Sequence, residues 1–269
     1  MKRKLLTWLT QVGLVCLVFL AISLFPPLHS LETLSTVNGL PPMGQSAAAA
    51  LIPTAPEDST ATQDLATDFG HTTGHYSPRE EIALADPTNY GDRYLTDVYG
   101  RPVHNDFIVV IHETVGSARS AINLFQTPHP RDEDQVSYHT LITQDGTIVY
   151  IVPPEKRAFG AGNSVFNGPN GPEAVSTNPD FPASVNNFAY HVSLETPADG
   201  RGNGQWHSGY TNAQYQSLAW LLARTNVPDS RITTHRGVDR SGSRIDPRTF
   251  DGQLFLNLLH TYPSRTGLG

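Results

Sequence analysis

Apolar residues change their spacing several times along the chain, and each change predicts an element. Phe107–Ile111 is an unbroken apolar run rich in Ile and Val, which predicts a strand buried on both faces. From Ser117 to Phe125 the pattern turns helical, with Ala118, Ala121, Ile122 and Phe125 on one stripe. Two further stretches, Tyr138–Thr143 and Thr147–Val152, flank Asp145-Gly146, a dipeptide suited to a tight hairpin turn. Ala189–Leu194 predicts another strand. Thr211 and Gln214 stand at the spacing of a capping box, and Tyr215, Leu218, Ala219 and Leu222 follow at i, i+3, i+4 and i+7. Ile232–Thr234 predicts a short strand and Gln253–His260 a closing helix. Strands and helices alternate, so the expected fold is α/β (α+β): a single mixed central β-sheet flanked by helices.

Upstream the pattern is different. Lys2, Arg3 and Lys4 precede a mostly apolar, uncharged stretch from Leu5 to Phe25. This is the layout of a signal peptide or N-terminal membrane anchor over residues 1–30; no A-x-A site follows it, so both outcomes stay open. From Pro26 to about Tyr76 no period of 2 or 3.6 is sustained, and Ser46–Ala50, scattered Pro and many Ser and Thr predict a flexible spacer over residues 31–77. The folded domain is expected over residues 78–265. Export places it in the periplasm, the cell envelope or the extracellular space, in contact with the membrane only through its N-terminal segment.

Composition narrows the function. The net charge is −7, and Lys2, Arg3 and Lys4 are the only charges in the first thirty residues, so the remainder is more acidic still. Nucleic acid is therefore not the expected partner. One cysteine excludes an intramolecular disulfide and any Cys-based zinc finger, so a metal must be held by His and carboxylates. His112 follows the apolar strand, but an HExxH reading from His112-Glu113 fails because position 116 is Gly. His235 ends another strand, and Asp246 lies downstream just before Pro247, with Arg244 two residues earlier. His139 alternates to the other face of its strand from Tyr138 and reads as structural. His104, His129, His191, His207 and His260 have no partner at a diagnostic spacing.

The motifs VVIHET (Val109–Thr114), SYHTLITQDGTIVYIVP (Ser137–Pro153), AGN (Ala161–Asn163), VSLE (Val192–Glu195) and THRGVDRSGSRIDP (Thr234–Pro247) occur in one order. Their order and spacing resemble the zinc-dependent N-acetylmuramoyl-L-alanine amidases of the amidase-2 type, a superfamily that includes T7 lysozyme-like amidases and peptidoglycan recognition proteins. The resemblance runs from about His104 to Tyr262. It implies a Zn²⁺ ion held by His112, His235 and Asp246, with a fourth position open to water. It further implies catalytic roles for Glu195, Arg244 and Tyr138. Glu195 is expected to be the main general base and acid, because Arg244, standing where the family usually has Lys, keeps its proton near neutral pH. Glu113 and Gly160 replace His residues frequent in the family. The implied reaction is hydrolysis of the amide between N-acetylmuramic acid and L-alanine in peptidoglycan or muropeptides, by a monomer. The alternative is a non-catalytic peptidoglycan-binding module; such members usually lack a zinc ligand, whereas here all three positions are filled. Gly162–Asn187, rich in Gly, Pro and Asn, is expected to wall the substrate groove, with Phe166, Phe181 and Trp206 as stacking surfaces.

Overall fold

The computed structural model describes residues 76–202 and 204–267. The signal-like start at 1–30 and the spacer up to residue 75 lie outside the described residues. Among the described residues no helix is long and apolar enough to cross a membrane. The elements are β1 (Glu80–Ile82), β2 (Tyr90–Asp92), β3 (Ile108–Glu113), α1 (Ala118–Gln126), β4 (Thr140–Ile142), β5 (Ile148–Tyr150), β6 (Lys156–Ala158), β7 (Phe166–Gly168), β8 (Gly171–Glu173), β9 (Ala189–Leu194), α2 (Asn212–Leu222), β10 (Ile232–Thr234), α3 (His235–Val238) and α4 (Gly252–Leu259).

Six strands form one mixed sheet in the order β1-β5-β4-β9-β3-β10, and β2–β6 and β7–β8 are small separate pairs. Only the β4–β5 hairpin is antiparallel in the main sheet; the other pairings are parallel. The expected fold class is the observed one. Strand β3 lies between β9 and β10, and every residue of β3 and β9 is buried, including the polar His112, Glu113, His191 and Ser193.

Alternation along β3 separates two cores. Val109 and Ile111 pack with Tyr190, Val192, Leu194 and the apolar sides of α2 and α4. Ile108 and Val110 face the other way, with Phe188, Ala189 and Val238. On that second side α1 packs Ala118, Ala121 and Phe125 against Leu141, Val149 and Ile151. The next residues of β3, His112 and Glu113, inherit the same alternation and leave the sheet on opposite faces.

Local chemistry accounts for the element ends. The Thr211 hydroxyl accepts from the Gln214 backbone N–H while the Gln214 side-chain Oε1 accepts from the Thr211 N–H, completing the predicted capping box. Ser117 caps α1 by accepting from the Ser120 N–H. Gly146 turns the β4–β5 hairpin at φ 85°, a conformation that favours glycine. The stretch from Gly162 to Asn187 is more ordered than its composition suggests. It holds β7, β8 and a bridge between Val175 and Ser184, and it buries Phe166. Phe166 is therefore a core residue and not a stacking surface, whereas Phe181 and Trp206 are exposed. At the start of the described residues, the Tyr76 hydroxyl lies 2.7 Å from Ser217 Oγ.

Candidate metal centre

His112, His235 and Asp246 come together at the end of the sheet from which β3 and β10 emerge. Each offers one donor atom, and the donors lie within 4.8 Å of one another. His112 is carried by the fully buried end of β3. His235 opens α3, a turn capped by the Thr234 hydroxyl accepting from the Gly237 N–H. Asp246 lies on the loop after α3, which is tied back where the Arg236 N–H donates to the Asp246 carbonyl. A cis peptide joins Asp246 to Pro247.

The carboxylate of Asp246 sits 3.1 Å from His235 Nδ1 and 3.5 Å from His112 Nδ1. Burial alone pushes the Asp246 carboxyl up, but the adjacent imidazoles of His112 and His235 outweigh it and hold the group well below the usual carboxylate range. Burial pushes the His112 imidazole down to about 4, so it is neutral at neutral pH, the form that ligates a metal. His112 Nδ1 is buried and has no hydrogen-bond partner. A buried polar atom is normally paired. An unpaired imidazole nitrogen aimed at a carboxylate beside a second imidazole is what a cation would satisfy. The donor set, two nitrogens and one oxygen, suits zinc at a three-ligand catalytic site.

Tyr138 stacks on His112 with ring centroids 4.4 Å apart, and Phe125 packs edge-on against Tyr138. Burial raises the Tyr138 phenol, so its proton stays on at neutral pH. Arg244 is exposed on the loop before Asp246, and its charge lowers both His112 and Tyr138. That loop is organised by Asp239, whose carboxylate accepts from the N–H groups of Ser241, Ser243 and Arg244.

Glu195 is not one of the three converging donors. Its Oε1 accepts from the Ala118 N–H at the start of α1 and its Oε2 from the Gln144 N–H, and Arg201 lies 3.6 Å away. Glu195 shares a face with His191 and Ser193, as strand alternation requires, but it lies past the end of β9. In the register of the sheet the residue opposite His112 is Ser193, whose buried hydroxyl has no partner.

Several residues at the site carry no mark in the linear pattern. Glu113 accepts through Oε1 from Arg248 Nε at 2.6 Å and through Oε2 from the Tyr210 hydroxyl at 3.2 Å, and His207 Nε2 lies 3.1 Å from Oε2. Arg248 in turn donates to the carbonyls of Gly200 and Gly204. This cluster ties β3, which carries His112, to the segment that carries Asp246. His191 is completely buried, and its Nδ1 lies 2.9 Å from His112 Nε2. His139, expected to be structural, is buried, and its Nδ1 accepts from the His191 N–H. Period-2 alternation groups His191 with Ser193, but only the β3–β9 register places them beside His112.

Residues 101–249 match a family described as N-acetylmuramoyl-L-alanine amidase, and that span holds every residue named in this centre. The 1,6-anhydro-N-acetylmuramyl-L-alanine amidase AmpD of Citrobacter freundii is 30% identical over 129 residues, 46% of this chain. The chain spans 58% of the length of that relative. Among solved structures, the solution structure of Citrobacter freundii AmpD is similar at 24% identity and a TM-score of 0.40, covering 68% of this chain and 91% of that one. AmpDh3 from Pseudomonas aeruginosa, in complex with an anhydromuramic pentapeptide, is similar at 18% identity and a TM-score of 0.37, covering 68% of this chain and 62% of that one.

Proposed function

The chain belongs to the N-acetylmuramoyl-L-alanine amidase family, and from that premise we propose that it is a zinc-dependent enzyme hydrolysing the amide between N-acetylmuramic acid and L-alanine in peptidoglycan or muropeptides. The observation that carries the reading is the buried, unpaired Nδ1 of His112 facing Asp246 beside His235. A bound zinc would supply Lewis-acid polarisation of the scissile carbonyl and make water acidic enough to attack near neutral pH. The filled donor set argues against a module that only binds peptidoglycan.

His112, His235 and Asp246 would hold the metal. Tyr138 keeps its proton and stacks on His112, so its hydroxyl is available to donate to the oxygen that gains charge as the carbonyl is attacked. Arg244 adds a permanent positive charge at the exposed mouth of the site, suited to the same developing charge or to a stem-peptide carboxylate. In this reading Glu195, with both oxygens accepting from backbone amides, seats the start of α1 and the β4–β5 turn. This differs from the general-base role that the family resemblance implies.

The basic-apolar start supports export, with the domain acting in the periplasm, the cell envelope or outside the cell, as a monomer held to the membrane at most by its N-terminal segment. The test is digestion of purified peptidoglycan with mass analysis of the products. Cleavage at the proposed bond releases stem peptides with a free L-alanine amine and leaves peptide-free glycan carrying the lactyl carboxylate. Products cut elsewhere, or intact material that merely retains the protein, would contradict the proposal.

A further inference from the structure

We propose that His191 is a positioning residue for the metal centre: it accepts a hydrogen bond from His112 and thereby fixes which nitrogen His112 presents to zinc. The inference rests on the zinc reading above and extends it to a residue that no motif marks.

The argument starts from His112. Its Nδ1 is the nitrogen on the side of Asp246, 3.5 Å from Oδ2, and it has no hydrogen-bond partner. For that nitrogen to offer a lone pair to a cation, the ring proton must sit on Nε2. Nε2 lies 2.9 Å from His191 Nδ1, so His191 must be the acceptor and must carry its own proton on Nε2. His191 Nε2 is buried and unpaired. Among the described residues, the contact with His112 is thus the one hydrogen bond made by the His191 ring.

The ring is held in place from two sides. The His191 N–H donates to His139 Nδ1 at 2.9 Å, and the His191 carbonyl accepts from the His139 N–H at 3.0 Å. Position 160 is glycine, and a Cβ there would fall 2.7 Å from both Cγ and Nδ1 of the His191 ring. Gly160 is therefore the socket that the imidazole occupies. A metal-ligating histidine commonly donates its other N–H to a carboxylate, carbonyl or water, and losing that partner typically weakens metal affinity 10–100-fold. Here the acceptor is a second imidazole, delivered by the strand paired with the strand of His112.

The experiment measures zinc affinity of the full-length chain by competition with a chromogenic chelator, for wild type, His191→Leu, His191→Asn and Gly160→Ala. Circular dichroism of each metal-free protein verifies folding. His191→Leu removes the acceptor and should weaken zinc binding about 10–100-fold. In Asn the amide oxygen occupies the place of Nδ1, so His191→Asn should restore most of the loss. The visible spectrum of the Co²⁺-loaded protein should change in His191→Leu and return toward wild type in His191→Asn. A folded His191→Leu with wild-type affinity, or a His191→Asn as weak as His191→Leu, would overturn the proposal. Gly160→Ala displaces the ring without removing it and should also weaken zinc; if His191→Leu does not fold, unchanged affinity in Gly160→Ala overturns the proposal instead. A wild-type chain that binds no zinc would overturn the metal reading and this inference together, whereas zinc binding unaffected by position 191 would overturn this inference alone.

Discussion

His112 and Glu113 are consecutive residues of one buried strand, and they end in opposite kinds of environment. Glu113 enters a closed network in which Arg248, His207 and Tyr210 occupy its two oxygens and backbone carbonyls occupy the far side of Arg248. His112 enters an open one: its Nδ1 is unpaired, the facing Ser193 hydroxyl is unpaired, and so is the far nitrogen of His191. Both clusters are buried and polar. The difference teaches that burial of polar groups alone does not mark a functional centre. A network that satisfies itself holds the fold together, and one that leaves donor atoms converging without a partner is shaped for something absent from the chain.

The contrast is broken most strongly from the open side. His235→Ala removes one of three donors, so zinc should be lost and hydrolysis should fall to the background of the assay, with the apparent melting temperature dropping to that of chelated wild type. Product release from a defined muropeptide and zinc content per chain check this together. Glu113→Gln attacks the closed side. It leaves the buried Arg248 guanidinium without its counter-charge and should cost about 3–5 kcal/mol in denaturant unfolding, the usual effect of breaking a buried pair. Folded Glu113→Gln should still bind one zinc. A loss of zinc without a loss of stability would reverse the assignment of the two clusters.

Smaller changes sharpen the division. Tyr138→Phe keeps the stacking on His112 and removes the hydroxyl; it should lower kcat about 10²-fold, as for loss of one transition-state hydrogen-bond donor, with zinc retained. Acid should destabilise the metal-free protein through its histidines. Burial pushes His112 down to about 4, and His139 and His191 well below 6.5. Unfolded, each titrates near 6.5, so below that pH the unfolded chain binds more protons and stability is lost as pH falls. Each should contribute about 1.4 kcal/mol per pH unit until its folded pKa is reached. Asp246 does not counter this, because its contribution is already complete above the ordinary aspartate value of 3.8. Unfolding of chelated protein between pH 7.5 and 5.5 measures the slope, and a flat profile would show that the imidazoles are not buried in the neutral form. The mildest change is Glu195→Gln. It should lower stability by about 1–2 kcal/mol through the amides of Ala118 and Gln144 and leave kcat within about tenfold of wild type. A loss of 10²-fold or more with zinc retained would return the proton-transfer role to Glu195.

What could be read before the structure was whatever the chain encodes locally. The run at Phe107–Ile111, the Asp145-Gly146 turn and the Thr211–Gln214 capping box each specify geometry within a few residues, and each is present. The three converging donors, His112, His235 and Asp246, were accessible because each lies inside a local motif. Contacts made by sheet register were not. His191 reaches His112 because β9 pairs with β3, and no periodicity along either strand reveals that pairing. Glu113 and Arg248 are 135 residues apart and meet through the path of the chain. The β7–β8 hairpin was hidden because its Gly, Pro and Asn resemble a loop, while Phe166 gives it an apolar anchor in the core. For Glu195, alternation gives the face it shares with His191 and Ser193, but its contacts with the amides of Ala118 and Gln144 depend on the path of the chain.

The central claim is that the open cluster exists to hold zinc. The most direct test is elemental analysis of the full-length protein purified without added metal, for wild type and His235→Ala, with wild-type hydrolysis assayed before and after chelation. The account predicts one zinc per wild-type chain, none in His235→Ala, and activity that disappears on chelation and returns with Zn²⁺. A wild-type chain that contains no zinc and keeps its activity through chelation would contradict it.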